Sequence, residues 1–346
     1  HDGVAAFGQA RCPGERGRPL RVLLIKLSSL GDVVHTLPAA MDLASQFPQA
    51  RLDWVVEPAF APLVRECPVI DGVIEMDLRR WRRQPWSADT RAAWRVFRQA
   101  LRAQAYDWII DLQGLTKSAL VSRLARRAPQ GLRVAMAHRT DGSAYEAPTR
   151  WVADRCISVP AHIHAVDRAR EVCARAMGYA VPERFQPGLV RPRVAAPGDA
   201  SQGDVLCVHG TSRNDKLWPE THWVELGQRL LAHGWTPAFA HGNDHELARA
   251  RRLSAALPGA RIWPRWPLDQ LSGHMAETAG VIGVDSGPSH IAVALGLPHV
   301  QIYNFDTAWR TGPQHRRDQI SVYAQPTPGV DQVWQAWLQA RSEGAS

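Results

Sequence analysis

The sequence predicts an α/β protein built from two successive parallel sheets. Short runs of aliphatic and β-branched residues alternate with amphipathic stretches along the chain. Such alternation is typical of parallel strands that are joined by crossover helices. It stops once, at a segment rich in Pro and Gly, and then restarts. Because 346 residues exceed the usual size of one hydrophobic core, we expect two domains.

The first half of the chain contains the elements of one sheet. The run RVLLIKL is apolar enough to indicate a strand that is buried on both faces. The predicted strands are 21–27, 51–57, 72–78, 107–113 and 132–137. Amphipathic spacing predicts helices over 90–104 and 165–179, the second ending near Gly178.

The second half repeats this organisation after a linker rich in Pro and Gly. Its predicted strands are 204–210, 236–242, 260–265, 280–285 and 299–304. Its predicted helices are 221–235, 244–257, 268–279, 289–296 and 329–341. We therefore expect a disordered N-terminal extension (1–20), an N-terminal domain (21–185), a linker (186–203), a C-terminal domain (204–328), and a C-terminal helix and tail (329–346).

Composition narrows the class of protein. No run of about 18 uncharged apolar residues is present, so no transmembrane helix is predicted. The first twenty residues lack the apolar centre of a secretory signal. Five scattered cysteines without CxxC spacing indicate reduced thiols, as in a cytosol. The net charge of +8 favours an anionic partner, although an arginine-rich composition alone would give the same charge.

Polar clusters follow several predicted strands. In open α/β sheets, ligands bind beyond the carboxyl ends of the strands. The clusters are 26–32, 113–118, 209–216, 241–246 and 285–290. Neither GxGxxG nor GxxxxGK[ST] occurs, so the sequence indicates no dinucleotide fingerprint and no Walker A loop.

The cluster HGTSRNDKLWP (209–219) has the composition of an anion site. Hydroxyls from Thr211 and Ser212 follow a strand, and Lys216 can add a point charge for a phosphate. A solvated turn would have the same composition, so this cluster alone does not decide between the two.

The cluster VDSGPSH (284–290) gives a sharper signal. A strand ends at Asp285, and a helix begins near Ser286, Gly287 and a proline. Free N–H groups at a helix start favour a diphosphate, and His290 would lie nearby. The alternative is a capped helix with a structural histidine.

Two further segments suggest ligands. GNDHE (242–246) places Glu246 in the first turn of a helix, where a carboxylate can bind ribose hydroxyls or only complement the helix dipole. LRRWRRQPW (78–86) has the arginine density that suits phosphate or carboxylate recognition, or else is a basic surface loop. No nucleic-acid-binding pattern accompanies it, so no nucleic acid partner is expected. The histidine-rich pieces lack a third ligand at helical spacing, so no metal site is predicted.

Asp32 has two possible roles. It follows the strand RVLLIK and a Ser-Ser-Leu-Gly turn. The structural role would be that of a helix N-cap, and the functional role would be that of a catalytic base.

Taken together, the clusters resemble glycosyltransferase family 9, the ADP-heptose:lipopolysaccharide heptosyltransferases. The resemblance extends from Arg21 to about Arg341. It rests on KLSSLGDVVHTLPA (26–39), DWVVE (53–57), RRWRR (79–83), DLQGLTKSAL (111–120), HAVDR (164–168), HGTSRNDKLWP (209–219) and GVDSGPSHIAVAL (283–295). YNFDTAWRTGP (303–313) departs from the family, which often has Gly-Pro-Thr after the last strand.

The resemblance implies a GT-B fold, in which two Rossmann-like domains face each other across a cleft. It implies inverting, metal-independent heptose transfer from ADP-L-glycero-β-D-manno-heptose, without a cofactor. The implied acceptor is the 3-deoxy-D-manno-oct-2-ulosonic acid (Kdo) residue of Kdo2-lipid A. The thiols indicate a cytoplasmic enzyme, and a lipid acceptor indicates peripheral contact with the inner membrane. We also expect a monomer.

The resemblance also assigns site residues. The implied general base is Asp32. The implied donor-binding residues are Thr211, Ser212, Lys216, Glu246, Asp285, Ser286, Gly287 and His290. Because the implied acceptor carries phosphates and carboxylates, the expected acceptor-binding residues are Lys26, Ser28, Arg79, Arg80, Arg82 and Arg83, and Gln113 and Lys117 join them by their position along the cleft.

Three alternatives stay open at this point. Another family 9 member would use an acceptor that already carries heptose. A GT-B nucleotide-sugar isomerase would act without an acceptor, which would leave the arginine cluster without a role. A basic nucleic-acid-binding protein would bind with steep salt dependence and would ignore ADP-heptose.

Overall fold

The computed structural model describes residues 18–190 and 203–344. The chain divides into two compact units after Gly188. Most of the predicted N-terminal extension (1–20) and linker (186–203), and the last two residues of the tail, lie outside the described residues. None of the helices in the described ranges has both the length and the apolar character of a membrane span.

The first unit is built on a six-stranded sheet whose strand pairs are all parallel. Its strands are β1 (Arg21–Ile25), β2 (Arg51–Val56), β3 (Gly72–Glu75), β4 (Tyr106–Asp111), β5 (Arg127–Met136) and β6 (Arg155–Ile157). They lie in the order β3-β2-β1-β4-β5-β6. Its helices are α1 (Leu30–Gln46), α2 (Ala61–Arg65), α3 (Leu78–Arg83), α4 (Ala88–Arg102), α5 (Thr116–Leu124), α6 (Pro148–Val152) and α7 (Ala165–Met177). The central strands β1 and β4 are almost completely buried: β1 is apolar after Arg21, and β4 buries Asp107 and Asp111 beside its apolar residues.

The second unit repeats the architecture with another six-stranded parallel sheet. Its strands are β7 (Asp204–Val208), β8 (Thr236–Phe239), β9 (Arg261–Ile262), β10 (Gly280–Val284), β11 (His299–Tyr303) and β12 (Gln319–Tyr323). They lie in the order β12-β11-β10-β7-β8-β9. Its helices are α8 (Glu220–Ala232), α9 (Asp244–Ala255), α10 (Leu268–Ala276), α11 (Gly287–Ala294), α12 (Ala308–Thr311) and α13 (Val330–Gly344). The predicted α/β class with two parallel sheets is confirmed.

Several predicted elements were wrong in extent. The predicted strand 72–78 ends at Glu75, because the Asp77 carboxylate accepts the backbone N–H of Arg80 at 3.2 Å and begins α3. The predicted strand 132–137 begins five residues earlier, at Arg127. The predicted helix 289–296 begins at Gly287. The elements without a predicted counterpart are β6, β12, α1, α2, α3, α5, α6 and α12.

The arginine-rich segment is a short helix, α3, that a single aromatic side chain attaches to the core. Trp81 is 7% exposed, and its ring lies 5.4 Å from that of Trp94 and 5.5 Å from that of Phe97. The arginines on either side of Trp81 are exposed. The alternative of a basic surface loop was therefore wrong about structure, because the segment is a helix that begins at the Asp77 cap and packs on the core through Trp81.

Trp81→Ala is expected to destabilise the first unit by about 3–5 kcal/mol, because it empties a buried aromatic site. Trp86→Ala is the matched control, since Trp86 is 85% exposed. It should change the free energy of unfolding by less than about 0.5 kcal/mol. Differential scanning calorimetry measures both, and equal melting temperatures for the two variants would contradict the anchoring role of Trp81.

Candidate functional site

The segments that follow β1 and β4, including the start of α5, gather four of the side chains predicted to bind the acceptor. The amide oxygen of Gln113 accepts the backbone N–H groups of Leu27 and Ser28 at 2.9 and 3.0 Å. The Lys117 ammonium donates to the Ser28 hydroxyl at 3.0 Å. Lys26 is the fourth member and is buried at the end of β1. The two segments meet because β1 and β4 are neighbours in a parallel sheet.

Asp32 stands at the third position of α1 and completes a capping box with Ser29. Its carboxylate accepts the backbone N–H of Ser29 at 3.2 Å and the Ser29 hydroxyl at 2.9 Å. The alternative that Asp32 is the N-cap was therefore wrong, because Ser29 occupies that position. The carboxylate is held at the helix start, while 38% of its side-chain surface stays exposed.

Two cations face the Asp32 carboxylate. Lys26 Nζ lies 3.8 Å from Asp32 Oδ1, and a guanidinium nitrogen of Arg168 lies 3.9 Å from the same oxygen. Burial alone would raise the pKa of Asp32. The charges of Lys26 and His35, the Ser29 hydroxyl and the charge of Arg168 outweigh it and lower the pKa to about 2. Asp32 is therefore ionised at neutral pH.

Asp111 lies behind this cluster and is fully buried. One carboxylate oxygen accepts the backbone N–H groups of Gln113 and Gly114 at 2.9 and 3.1 Å. The other accepts the Ser118 hydroxyl at 2.9 Å. Burial raises the pKa of Asp111 to about 6 despite these bonds and the charge of Lys26.

Glu57, which follows β2, connects two of the predicted acceptor-binding cations. Lys117 Nζ lies 3.0 Å from one carboxylate oxygen, and Arg79 Nε lies 3.2 Å from the other. The structure does not join the other arginines of α3 to this cluster. Within the described residues, Arg80, Arg82 and Arg83 form no ion pair.

Glu57 and Arg168 were not predicted as site residues, although the motifs DWVVE and HAVDR contain them. A sequence signal was present for each. Glu57 directly follows a buried strand, and Arg168 lies in the first turns of α7, next to buried positions.

Asp285, at the end of β10, is the centre of the second unit's cluster. Its carboxylate accepts the Lys216 ammonium at 2.6 Å and contacts His290 Nε2 at 3.3 Å. Its backbone oxygen accepts the Thr211 hydroxyl at 3.3 Å. Burial opposes ionisation, but His290 and Lys216 hold the pKa of Asp285 well below its usual range.

The start of α11 presents polar groups beside this cluster. Ser286 is the N-cap, and Gly287 is the first helical residue. The Ser286 hydroxyl is buried and has no hydrogen-bond partner within the described part of the chain. The side chain of Ser212, another predicted donor-binding residue, is exposed in the loop after β7. Free helix-start amides and an unsatisfied hydroxyl are suited to an anion.

Glu246 lies against the loop that follows β7. It stands in the first turn of α9, where Asn243 is the N-cap, and accepts the backbone N–H of Gly242 at 2.7 Å. Gly210 permits this close approach, because a Cβ atom there would lie only 2.6 Å from the Glu246 carboxyl carbon. The ends of β10, β7 and β8 therefore bring together most of the predicted donor-binding residues.

The segment 303–313 contributes two polar side chains that were not predicted. The Asn304 amide donates to the backbone oxygens of Asp215 and Leu217, both at 3.0 Å. The Thr311 hydroxyl lies 3.4 Å from an Asp285 carboxylate oxygen. Of these two residues, only Asn304 had a sequence signal for a place in the site, because it directly follows β11.

A profile of glycosyltransferase family 9 (heptosyltransferase) matches residues 94–334. The chain belongs to glycosyltransferase family 9. The predicted family and the predicted enzyme class, a glycosyltransferase, are thereby confirmed.

The names of similar proteins agree with this family assignment. The lipopolysaccharide heptosyltransferase 1 of Pseudomonas aeruginosa is 37% identical over 300 residues, or 86% of this chain and 82% of the relative. The enzyme of that name from Escherichia coli (strain K12) is 36% identical over 287 residues, or 82% and 88%. A solved structure of the E. coli heptosyltransferase WaaC with ADP matches with a TM-score of 0.82 and 32% identity. That match covers 93% of this chain and 100% of the other, which confirms the predicted GT-B class.

Asp111→Asn is expected to change how the stability of this family 9 enzyme depends on pH. Because the pKa of Asp111 rises from 3.8 to about 6 on folding, the folded state binds the proton more tightly. Stability should therefore fall by up to about 3 kcal/mol as pH rises from 4 through 6. Asparagine keeps the acceptor for both backbone N–H groups and has no charge, so this fall should disappear.

Melting temperatures of both proteins across this pH range measure the effect. The variant should be the more stable protein above pH 7, and the two should converge near pH 4. Parallel pH profiles would show that the Asp111 carboxyl carries its charge without cost in the folded state.

Proposed function

We propose that this family 9 enzyme transfers L-glycero-D-manno-heptose from ADP-L-glycero-β-D-manno-heptose to the Kdo residue of Kdo2-lipid A, with inversion. Its similarity to heptosyltransferase 1 enzymes of two bacteria supports the sugar and the lipopolysaccharide acceptor. The observation that carries the mechanism is Asp32, an ionised and partly exposed carboxylate that Ser29 holds at the start of α1.

In the proposed step, the Asp32 carboxylate removes the proton of the attacking Kdo hydroxyl. The hydroxyl oxygen forms a bond to the anomeric carbon on the face opposite ADP, and the bond to the diphosphate breaks. Lys26 and Arg168 hold the carboxylate in its ionised form before the reaction. They also favour return of the proton to solvent afterwards, because their charges lower its affinity for Asp32.

The leaving diphosphate is proposed to bind in the second unit. Negative charge builds on it as the glycosidic bond breaks, and fixed dipoles and cations stabilise that charge. Lys216 supplies an ammonium group, and the start of α11 supplies backbone N–H groups. These groups can stabilise the negative charge that a bound divalent cation stabilises in other enzymes, which supports the proposed metal independence. The proposed diphosphate ligands are Thr211, Ser212, Lys216, Ser286 and Gly287, and Glu246 is the proposed ribose ligand.

Asp285 and His290 are proposed to position this site. Asp285 fixes the Lys216 ammonium at 2.6 Å, and His290 contacts the same carboxylate. The acceptor is proposed to bind in the first unit, where the phosphates and carboxylates of Kdo2-lipid A would meet Lys26, Lys117 and the arginines of α3. Because that acceptor is a lipid, we further propose peripheral contact with the cytoplasmic face of the inner membrane.

The choice of acceptor is tested by incubating the enzyme and ADP-heptose with Kdo2-lipid A, in parallel with a core that already carries one heptose. We expect ADP release and a gain of one heptose in mass on Kdo2-lipid A, unchanged by EDTA. Transfer only to the heptosylated core would assign the chain to another acceptor within the family. ADP-heptose turnover without any acceptor would favour an isomerase.

Asp32→Asn tests the base. Asparagine keeps an oxygen that can accept the Ser29 N–H but cannot take a proton, so kcat should fall about 100- to 10,000-fold while the Kd of ADP-heptose hardly changes. Ser29→Ala is the control, since it weakens the cap by about 1 kcal/mol but keeps the carboxylate. Rapid-quench turnover and calorimetric titration measure the two quantities. If Asp32→Asn kept its kcat and only melted earlier, Asp32 would be a capping residue without a catalytic role.

A further inference from the structure

One face of α4 carries a row of four arginines that the proposed reaction does not use. Arg91, Arg95, Arg98 and Arg102 are spaced by four, three and four residues, so they lie on one side of the helix. All four are exposed. We call this row the arginine stripe. A different face of α4 packs Phe97 and Leu101 into the core of the first unit.

The stripe is a strong and largely uncompensated positive charge. None of its four guanidinium groups forms an ion pair with an acidic side chain in residues 18–190 and 203–344. Arg91 and Arg102 donate to backbone oxygens of Trp86 and Leu124, at 2.6 and 3.3 Å. Arg95 and Arg98 line a shallow depression on the helix surface together with Gln99. A surface of this kind attracts a polyanion.

Large apolar side chains lie exposed in the same part of the unit. Trp86, whose backbone oxygen binds Arg91, is 85% exposed. Leu120 of the neighbouring helix α5 is 43% exposed. Tryptophan next to arginine is the composition that favours the boundary between water and lipid headgroups, where indole rings and anionic phosphates are both available.

We propose that the arginine stripe and Trp86 form the surface that docks this enzyme on an anionic phospholipid bilayer. The surface deepens the proposed function, and rests on it in one respect: a lipid acceptor brings the enzyme to a membrane. Charge complementarity favours an anionic bilayer as the partner of this surface, because four neighbouring guanidinium groups match a plane of phosphodiesters. The exposed apolar side chains favour a bilayer over a nucleic acid, whose phosphate backbone offers them no apolar phase.

The test measures binding of the full-length protein to sedimented vesicles. The vesicles contain phosphatidylglycerol in phosphatidylcholine, or phosphatidylcholine alone. The double variant Arg95→Gln/Arg98→Gln is chosen because neither side chain makes a hydrogen bond or ion pair within the described residues. Arg251→Gln/Arg317→Gln removes the same charge from exposed positions of the second unit and is the matched control.

We expect the native protein to bind anionic vesicles, and we expect high salt to release most but not all of it. The stripe variant should bind about 30-fold more weakly, since each arginine near an anionic surface contributes about fivefold. The control variant should bind like the native protein, and Trp86→Ala should lower the binding that remains at high salt. Vesicles of phosphatidylcholine alone should not bind the protein strongly.

Two results would overturn the docking surface. One is equal vesicle binding by the stripe variant and the native protein. The other is binding of the native protein to duplex DNA, but not to anionic vesicles. Transfer of heptose to detergent-dispersed acceptor is measured separately. The proposed function therefore stands if transfer occurs without vesicle binding, and it fails alone if vesicle binding occurs without transfer.

Discussion

Parallel pairing of the strands is the constraint on which both units depend. In a parallel sheet every strand ends at the same edge, so loops that are distant in sequence open side by side. In the first unit, the Gln113 side chain ties the loop after β4 to the backbone of Leu27 and Ser28. In the second, Gly210 lets the loop after β7 touch Glu246 beyond β8. The chemistry of both clusters follows from which strands are neighbours.

Charge compensation is the second common feature. Buried or half-buried charges of opposite sign alternate at the carboxyl end of the first sheet: Asp111, Lys26, Asp32 and Arg168. For the two aspartates, burial favours the neutral form and neighbouring groups favour the charged form, so the balance differs between them. The pKa of Asp111 is about 6, whereas the pKa of Asp32, which is closer to solvent and to two cations, is about 2. Two aspartates within one cluster thus have opposite tendencies to hold a proton.

The sequence predicted the sheet strands well where they are long and apolar, as at RVLLIKL, because burial on both faces leaves no polar positions. It failed at short elements. The helix α3 begins at the Asp77 cap within a segment that contains four arginines, and the edge strand β12 has no uninterrupted apolar run. The site was predicted at the level of clusters, since polar residues after strands are visible in sequence. Glu57 and Arg168 had a sequence signal too, but the groups with which they pair were not visible, because these contacts join segments that only folding brings together.

The pairing of Glu57 with Lys117 and Arg79 has a consequence for the handling of anions. The protein already supplies a carboxylate to these cations, so an incoming phosphate would exchange with an internal competitor instead of meeting bare charge. This exchange makes each phosphate contact weaker than it would be with unpaired cations. It also makes the contact reversible, because Glu57 can pair with the cations again. An acceptor with several anionic groups can outcompete one carboxylate by multivalency, whereas a small anion such as free phosphate cannot. Glu57 would then favour ligands that carry several anionic groups over small single anions, and it would ease their departure.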